Sequence, residues 1–95
     1  MVNVHRNGDQ RACGAATVVT GQNFVDVEGE LWAVAGDPDS HGGGGLIPGT
    51  ISFIDIGGLQ VIGVGDTANP DSACSNNNIH CHPSATTGDA NVTAE

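Results

Sequence analysis

A Gly-Asp step recurs three times along this chain at an almost constant interval. The three copies are Gly8-Asp9, Gly36-Asp37 and Gly65-Asp66, and the two intervals between them differ by a single position. Repetition at such a period is typical of chains built from copies of one supersecondary unit, because a single copy cannot bury its apolar face alone. We therefore predict that the three copies converge on one shared point.

The residues before the second and third steps favour β-hairpins. Segments 26–37 and 55–66 correspond to each other position by position, each ending in its Gly-Asp step. Glu28-Gly29 and Gly57-Gly58 suit the centres of hairpin turns, where a positive φ is required. The flanking Val, Ile and Phe residues alternate in part with polar ones, as they do in half-buried strands.

Each end of the chain corresponds to half of such a hairpin. Residues 2–6 occupy the place of the strand before Gly-Asp, and residues 88–92 correspond to 49–53, where a hairpin begins. Joining the ends would complete a third hairpin and give approximate threefold pseudosymmetry within one chain. No stretch long enough for an α-helix has helical periodicity. We predict a single all-β domain over residues 1–95 with almost no helix.

Each repeat also carries a potential metal ligand after its Gly-Asp step. Cys13 and His41 each lie four residues after the Asp and eight before the next glycine of the repeat. His80 lies eight residues before Gly88, and His82 follows two residues later. Thiolate sulfur and imidazole nitrogen both suit zinc, which takes four such ligands in a closed tetrahedron at structural sites. We predict a structural zinc site formed by Cys13, His41, His80 and His82.

The sequence leaves alternatives open for the fourth ligand and for the identity of the metal. The third loop, 66–88, is longer than the equal loops 9–21 and 37–49, and the stretch inserted into it holds Cys74. Cys74 and Cys81 compete with His82 for the fourth position, although Cys81 would point away from its neighbours in an extended segment. Cys74 is most simply a free thiol, but a Cys74–Cys81 disulfide would form in an oxidising setting. Three cysteines, an odd number, suit thiol ligation in a reducing compartment. Iron is the alternative to zinc, and surface residues without a metal are the alternative to any site.

Other recurring features of the repeat have simpler structural interpretations. Asp9, Asp37 and Asp66 are expected to accept backbone N–H bonds and so to fix the loops that begin there. The glycine run 42–45 lacks the lysine and helix of a phosphate-binding loop and indicates close backbone approach near the metal. His5 lies outside the ligand register, and we expect it at the surface or facing a partner.

The composition argues against several classes of function. The net charge is −9, with only Arg6 and Arg11 positive, so nucleic acid and anionic lipid would be repelled. No apolar run approaches the roughly 18 residues of a membrane span, and no signal peptide is visible, so we expect synthesis in the cytoplasm. No carboxylate pair or activated nucleophile is placed as in an active site, so we do not expect an enzyme. With three aromatic residues and 15 glycines, the core should need help from a metal, a partner or oligomerisation.

The repeat has three features in order: a hairpin that ends in Gly-Asp, a Cys or His soon after it, and Thr-Gly or Pro-Gly before the next strand. In this pattern the chain resembles the proline-alanine-alanine-arginine (PAAR) repeat proteins. The resemblance covers essentially the whole chain. The segments that carry it are residues 6–9 with Cys13 and 20–21, residues 33–37 with 40–43 and 48–49, and residues 63–66 with 80–82 and 87–88.

The resemblance implies a small cone of short β-strands, with zinc near the apex held by Cys13, His41, His80 and His82. It implies that the broad base caps a trimeric β-helical spike, one tip per spike trimer, in a contractile phage tail or a type VI secretion system. The cone would pierce the envelope of the target cell. The protein would reside in the virion or be secreted by the injection machine. The apolar residues expected to contact the spike are Phe24, Trp32, Ile51, Phe53, Ile54 and Ile62.

Two other functions stay as alternatives to this interpretation. One is a small structural-zinc module that docks on a different protein. The other is a hydrolytic metalloenzyme, in which one of the four ligands is absent and water takes its place.

Overall fold

A computed structural model describes residues 2–75, 78–89 and 92–94 of the chain. One 3₁₀ turn, Asn78–His80, is the only helical element within these ranges, and the predicted all-β fold with almost no helix is confirmed. None of the described residues belongs to a helix of the length and apolarity that a bilayer span requires. The strands within the described ranges are β1 (Val2–Asn3), β2 (Asp26–Val27), β3 (Glu30–Leu31), β4 (Leu46–Ile47), β5 (Asp55–Ile56), β6 (Leu59–Gln60), β7 (Thr67–Ala68) and β8 (Thr93–Ala94).

Three of the two-stranded sheets share one register. The β2–β3 and β5–β6 pairs are hairpins whose turns have positive φ at both central residues, which is the geometry expected of Glu28-Gly29 and Gly57-Gly58. The third sheet joins β1 to β8, so the two ends of the chain pair as the sequence predicts. The opposed residues are Asp26 and Leu31, Asp55 and Gln60, and Thr93 and Asn3. The fourth sheet, β4–β7, links the second loop to the third.

A closed ring of backbone hydrogen bonds lies between the three repeats. Ala33 N donates to His5 O at 3.0 Å, Ile62 N to Ala33 O at 2.9 Å, and His5 N to Ile62 O at 3.1 Å. Each of these residues precedes its Gly-Asp glycine by three positions, and none has exposed surface. Every repeat therefore donates to one neighbour and accepts from the other. The molecule measures 34 × 23 × 23 Å, with two equal short dimensions; threefold pseudosymmetry and the cone shape stay predictions.

The Gly-Asp turns also repeat their hydrogen bonds. In each turn the Asp Oδ2 accepts the backbone N–H of the residue three positions earlier, at 2.8–3.0 Å. In the second and third turns, Oδ1 accepts further backbone N–H bonds, from Gly21 at 2.8 Å and from Thr50 at 2.7 Å. The predicted role of Asp9, Asp37 and Asp66 as acceptors that fix the turns is thus confirmed.

The core consists of two apolar clusters, and it corrects two of the predicted partner contacts. Ile62 belongs to a cluster with Leu46 and three alanines, and Ile51 to one that also holds Val34. Both isoleucines are fully buried, so the prediction that they face a partner is wrong. The ring position encloses Ile62 between the other two repeats, and strands of two residues are too short for alternation to indicate which side chains face inward.

The remaining predicted partner contacts are accessible to different degrees. Phe24 and Phe53 are 69% and 61% exposed. Trp32 and Ile54 are half-buried against the second cluster. His5, expected at the surface, is fully buried, because its ring position lies inside the fold.

Candidate metal centre

Four side chains from three loops meet at one point, and most of the distances between their ligand atoms are close to those of a tetrahedral metal site. Cys13, His41, Asp71 and His80 each offer one ligand atom, and all four atoms lie within 4.8 Å of one another. Asp71 Oδ2 lies 3.2 Å from His80 Nδ1, 3.3 Å from His41 Nδ1 and 3.6 Å from Cys13 Sγ. The two Nδ1 atoms are 3.3 Å apart, and Cys13 Sγ lies 4.0 Å from His41 Nδ1. Bonds of about 2.0–2.3 Å to a tetrahedral zinc ion imply ligand separations of roughly 3.3–3.6 Å, which these values approach.

Three of the four predicted ligands are brought together, and the fourth is not. Cys13, His41 and His80 lie in the cluster. His82 is exposed and outside it, with its Nδ1 3.2 Å from the carbonyl oxygen of Ala68. Asp71 takes the fourth place, so the cluster corrects the predicted set.

Asp71 could have been found by counting forward from the Gly-Asp step of the third repeat. Cys13 and His41 each follow the Asp of their step by four residues, and the corresponding residue of the third repeat is Pro70. Asp71 is the next residue. Counting back from Gly88 leads instead to His80, because the insertion lies between the two. The third loop therefore has two equivalents of one ligand position, one on each side of the insertion.

The glycine run after His41 allows the second and third loops to approach closely. Gly42, Gly43 and Gly44 all have positive φ, which L side chains rarely adopt. Gly43 forms an antiparallel bridge with Asp71, and a Cβ at Gly44 would lie 2.8 Å from Asp39 Oδ2. The predicted close backbone approach is confirmed, and it brings His41 to Asp71.

The cysteines divide into one free thiol and one disulfide. Cys13 is free, whereas Cys74 and Cys81 are bonded to each other, with their Cα atoms 4.6 Å apart. The prediction that Cys74 is a free thiol is wrong, and the disulfide alternative is the one that the structure contains. Both thiols are thereby removed as candidates for the fourth ligand.

The electrostatics of the cluster favour a cation. Burial opposes ionisation of Asp71, but hydrogen bonds, first among them the one from the Ala73 backbone N–H, hold its pKa at about 2. Partial burial and the neighbouring carboxylates of Asp39 and Asp71 raise the pKa of the Cys13 thiol. The donor set of one sulfur, two nitrogens and one carboxylate oxygen suits a borderline divalent ion such as zinc. Once the thiol ionises, two ligand charges would balance such an ion.

A buried ion pair lies next to the cluster and is hydrogen-bonded to the backbone of His41. The side chains of Arg11 and Asp39 are both fully buried, with Nη1 and Oδ2 3.7 Å apart. Arg11 Nη2 donates to Asp37 O at 2.9 Å, and Nη1 donates to Gly44 O. Asp39 Oδ1 accepts the backbone N–H of His41 at 3.0 Å. Through this acceptor, the ion pair helps to fix the loop that carries a ligand.

The polar network continues from Arg11 to the ring. Arg11 Nε donates to Thr17 Oγ1 at 2.8 Å, and Thr17 Oγ1 lies 2.6 Å from His5 Nε2. His5 Nδ1 lies 2.7 Å from Thr87 O. A carbonyl oxygen only accepts, so His5 Nδ1 carries the proton and Nε2 accepts from the Thr17 hydroxyl. Both nitrogens are therefore satisfied when the imidazole is neutral.

We expect this neutral His5 to make the fold less stable as the medium becomes acidic. Burial lowers the pKa of His5 below its ordinary value of 6.5. The unfolded chain then binds more protons than the folded one, so stability is complete above about pH 6.5 and falls below it, by at most about 1.4 kcal/mol per pH unit. Urea unfolding from pH 7.5 to 5, in the same metal state for wild type and His5→Gln, measures this slope. Parallel stability curves for the two proteins would contradict the assignment, whatever their absolute difference.

No family model and no curated protein matches this chain. Any functional conclusion therefore rests on the geometry of the fold and of the metal-ligating cluster.

Proposed function

We propose that this protein is a structural, non-catalytic tip that caps the trimeric β-helical spike of a contractile injection machine. The single observation that carries the proposal is the closed ring of hydrogen bonds through His5, Ala33 and Ile62. Three equivalent positions of one chain bond to one another in a cycle, which supports threefold pseudosymmetry. A pseudo-threefold monomer fits the end of a threefold trimer without mismatch, whereas an asymmetric monomer does not.

The shared hairpin register supports the same arrangement. β2–β3, β5–β6 and β8–β1 each precede a Gly-Asp step, and the first residue of β2, β5 and β8 opposes the last residue of β3, β6 and β1. From each hairpin the chain passes through the ring and the Gly-Asp turn before it reaches the ligands. We infer that the hairpins form the broad base of a cone and that the metal site lies at its apex.

The metal we propose is zinc, in a structural role. Cys13, His41, Asp71 and His80 would supply four protein ligands, which leave no position for a reactive water. Each of the three loops contributes at least one ligand. An ion bound there would link the three loops through one atom, and so would stiffen the end that meets the target envelope.

The hairpin end offers exposed aromatic surface for the spike. Phe24 and Phe53 occupy the same place in the second and third hairpin segments, each two residues before the aspartate that begins a strand. Both side chains are mostly exposed, which is uncommon for phenylalanine in a protein without a partner. In the hairpin formed by the two chain ends, the residue two positions before the strand Thr93–Ala94 is Asn91, which lies outside the described residues. Trp32 and Ile54, which are half-buried, would extend this surface.

The test is to mix the protein with purified trimeric β-helical spike proteins and to measure stoichiometry by native mass spectrometry. We expect one chain per three spike chains. Phe24→Ser with Phe53→Ser should weaken the complex at least about tenfold, because buried aromatic anchors dominate such interfaces. Val18→Ser is the matched control, since Val18 is an exposed apolar residue in the loop 9–21 that carries Cys13. This variant should leave the affinity for the spike unchanged. Binding to a non-trimeric protein in place of every spike would favour the general docking module.

A further inference from the structure

The third loop differs from the other two in contributing two ligands. Asp71 precedes the inserted stretch and His80 follows it, whereas the first and second loops supply Cys13 and His41 alone. Two ligands on opposite sides of an insertion converge only if the chain between them is folded back on itself. The contacts that fold it back therefore decide whether four ligands are available or three.

Two kinds of contact join the sides of the insertion. Asp71 N donates to His80 O at 2.9 Å, and Cys74 N donates to Asp71 O at 3.1 Å. The Cys74–Cys81 disulfide adds a covalent link. Cys81 is the residue after His80, and Cys74 is three residues after Asp71, so the link lies next to both ligands. The other repeats have no cysteine pair for such a link, since Cys13 is the one further cysteine in the sequence.

We propose that the Cys74–Cys81 disulfide positions Asp71 and His80 for the metal, so that metal affinity depends on the oxidation state of the protein. The inference rests on the metal site proposed above. With the disulfide formed, the two ligands are held together before the ion binds. With the disulfide reduced, binding must also bring Asp71 and His80 together, and the conformational entropy lost in doing so weakens the site.

Formation and reduction of the disulfide require a small-molecule oxidant and a small-molecule reductant. Two protein thiols lose two protons and two electrons when the S–S bond forms, and a small-molecule disulfide that accepts them is cleaved to two thiols. The reverse exchange with a small dithiol reopens the bond and closes that dithiol to a cyclic disulfide. A chain made in reducing surroundings would thus hold an exchangeable ion, and oxidation on leaving them would lock it in place.

The experiment compares zinc affinity among three forms of the full chain by competition with a chromophoric zinc chelator. The forms are the air-oxidised protein, the same protein reduced with dithiothreitol and desalted under argon, and Cys74→Ser with Cys81→Ser. Thiol titration after unfolding should give one thiol in the oxidised form and three in the reduced form. We expect the reduced and the doubly substituted proteins to bind one zinc ion about 10- to 100-fold more weakly than the oxidised protein, the range seen when groups that orient ligands are removed.

The controls separate this inference from the metal site itself. The doubly substituted protein, taken through the same reduction, should keep its affinity, which excludes an effect on Cys13. If either weakened form is unfolded without zinc, circular dichroism during zinc titration reports its affinity through folding. Equal affinities of the oxidised and reduced proteins would overturn the inference and leave the metal site standing. Failure of the oxidised protein to bind zinc would overturn both.

Discussion

Replacing His41 by alanine is expected to abolish zinc binding at the proposed site and to lower the melting temperature of the zinc-treated protein by roughly 15–30 °C. A ligand present at about a thousand times its dissociation constant stabilises the native state by about 4 kcal/mol, and each kcal/mol corresponds to several degrees in a chain of this size. His41 is the sole ligand of its loop, so its loss releases the second repeat from the ion. Metal content by elemental analysis and thermal unfolding by circular dichroism measure the two effects. A chelator added to the wild type should reproduce the shift in melting temperature.

The matched control for this experiment is His82→Ala. His82 is an exposed histidine two residues from His80 and lies outside the cluster, so the variant should keep its zinc and its melting temperature. Asp71→Asn should behave like His41→Ala, because it removes the charge of a ligand. If His82→Ala lost the metal and Asp71→Asn retained it, the site would consist of one cysteine and three histidines, as the sequence alone suggests. Retention of zinc by His41→Ala would contradict the site altogether.

Arg11→Met is expected to destabilise the fold by about 3–5 kcal/mol, the usual cost of leaving a buried charge without its partner. Asp39 Oδ2 makes no hydrogen bond to the described residues, so the guanidinium 3.7 Å away is the charge that balances it there. Burial already raises the pKa of Asp39, and the carboxylate of Asp71 adds to this. The variant also leaves the carbonyls of Asp37 and Gly44 without their donor. Urea unfolding of the zinc-loaded proteins measures the difference.

A second substitution tests the cause of this loss. Arg11→Met with Asp39→Asn removes the unbalanced charge but keeps a side-chain oxygen for the His41 N–H, so it should regain part of the lost stability. A single Arg11→Met variant within about 1 kcal/mol of wild type would show that the ion pair contributes little to the fold. A double variant no better than the single one would place the loss on the carbonyl groups instead.

The repeat predicted much of the fold because aligned positions of the three copies are expected to have the same structure. This expectation does not depend on how strongly any residue favours a strand or a turn. The pairing of β1 with β8 and the acceptor role of three aspartates follow from aligning the Gly-Asp steps. The same alignment predicted Cys13, His41 and His80. Strands of two residues carry too little periodicity to be located by hydrophobic alternation alone.

The errors occurred where residue type outweighed position in the repeat. His5 has the same place as Ala33 and Ile62, and all three are buried, but a histidine in a first strand suggested a surface. Asp71 is one of 11 acidic residues, and it lies one position beyond the ligand register counted forward from Asp66. Neither the disulfide nor the buried Arg11–Asp39 pair has a pattern in the sequence, because both depend on how the loops fold rather than on a local motif.

The pairing of β1 with β8 also constrains how this chain acquires its structure during synthesis. The ring and the shared sheet register make every repeat depend on both others, so no portion emerging early from the ribosome contains a complete set of contacts. Chains dominated by pairings between distant segments fold slowly, because loop closure must be achieved before the contacts form. We therefore expect the complete set of contacts to form only after β8 has left the ribosome.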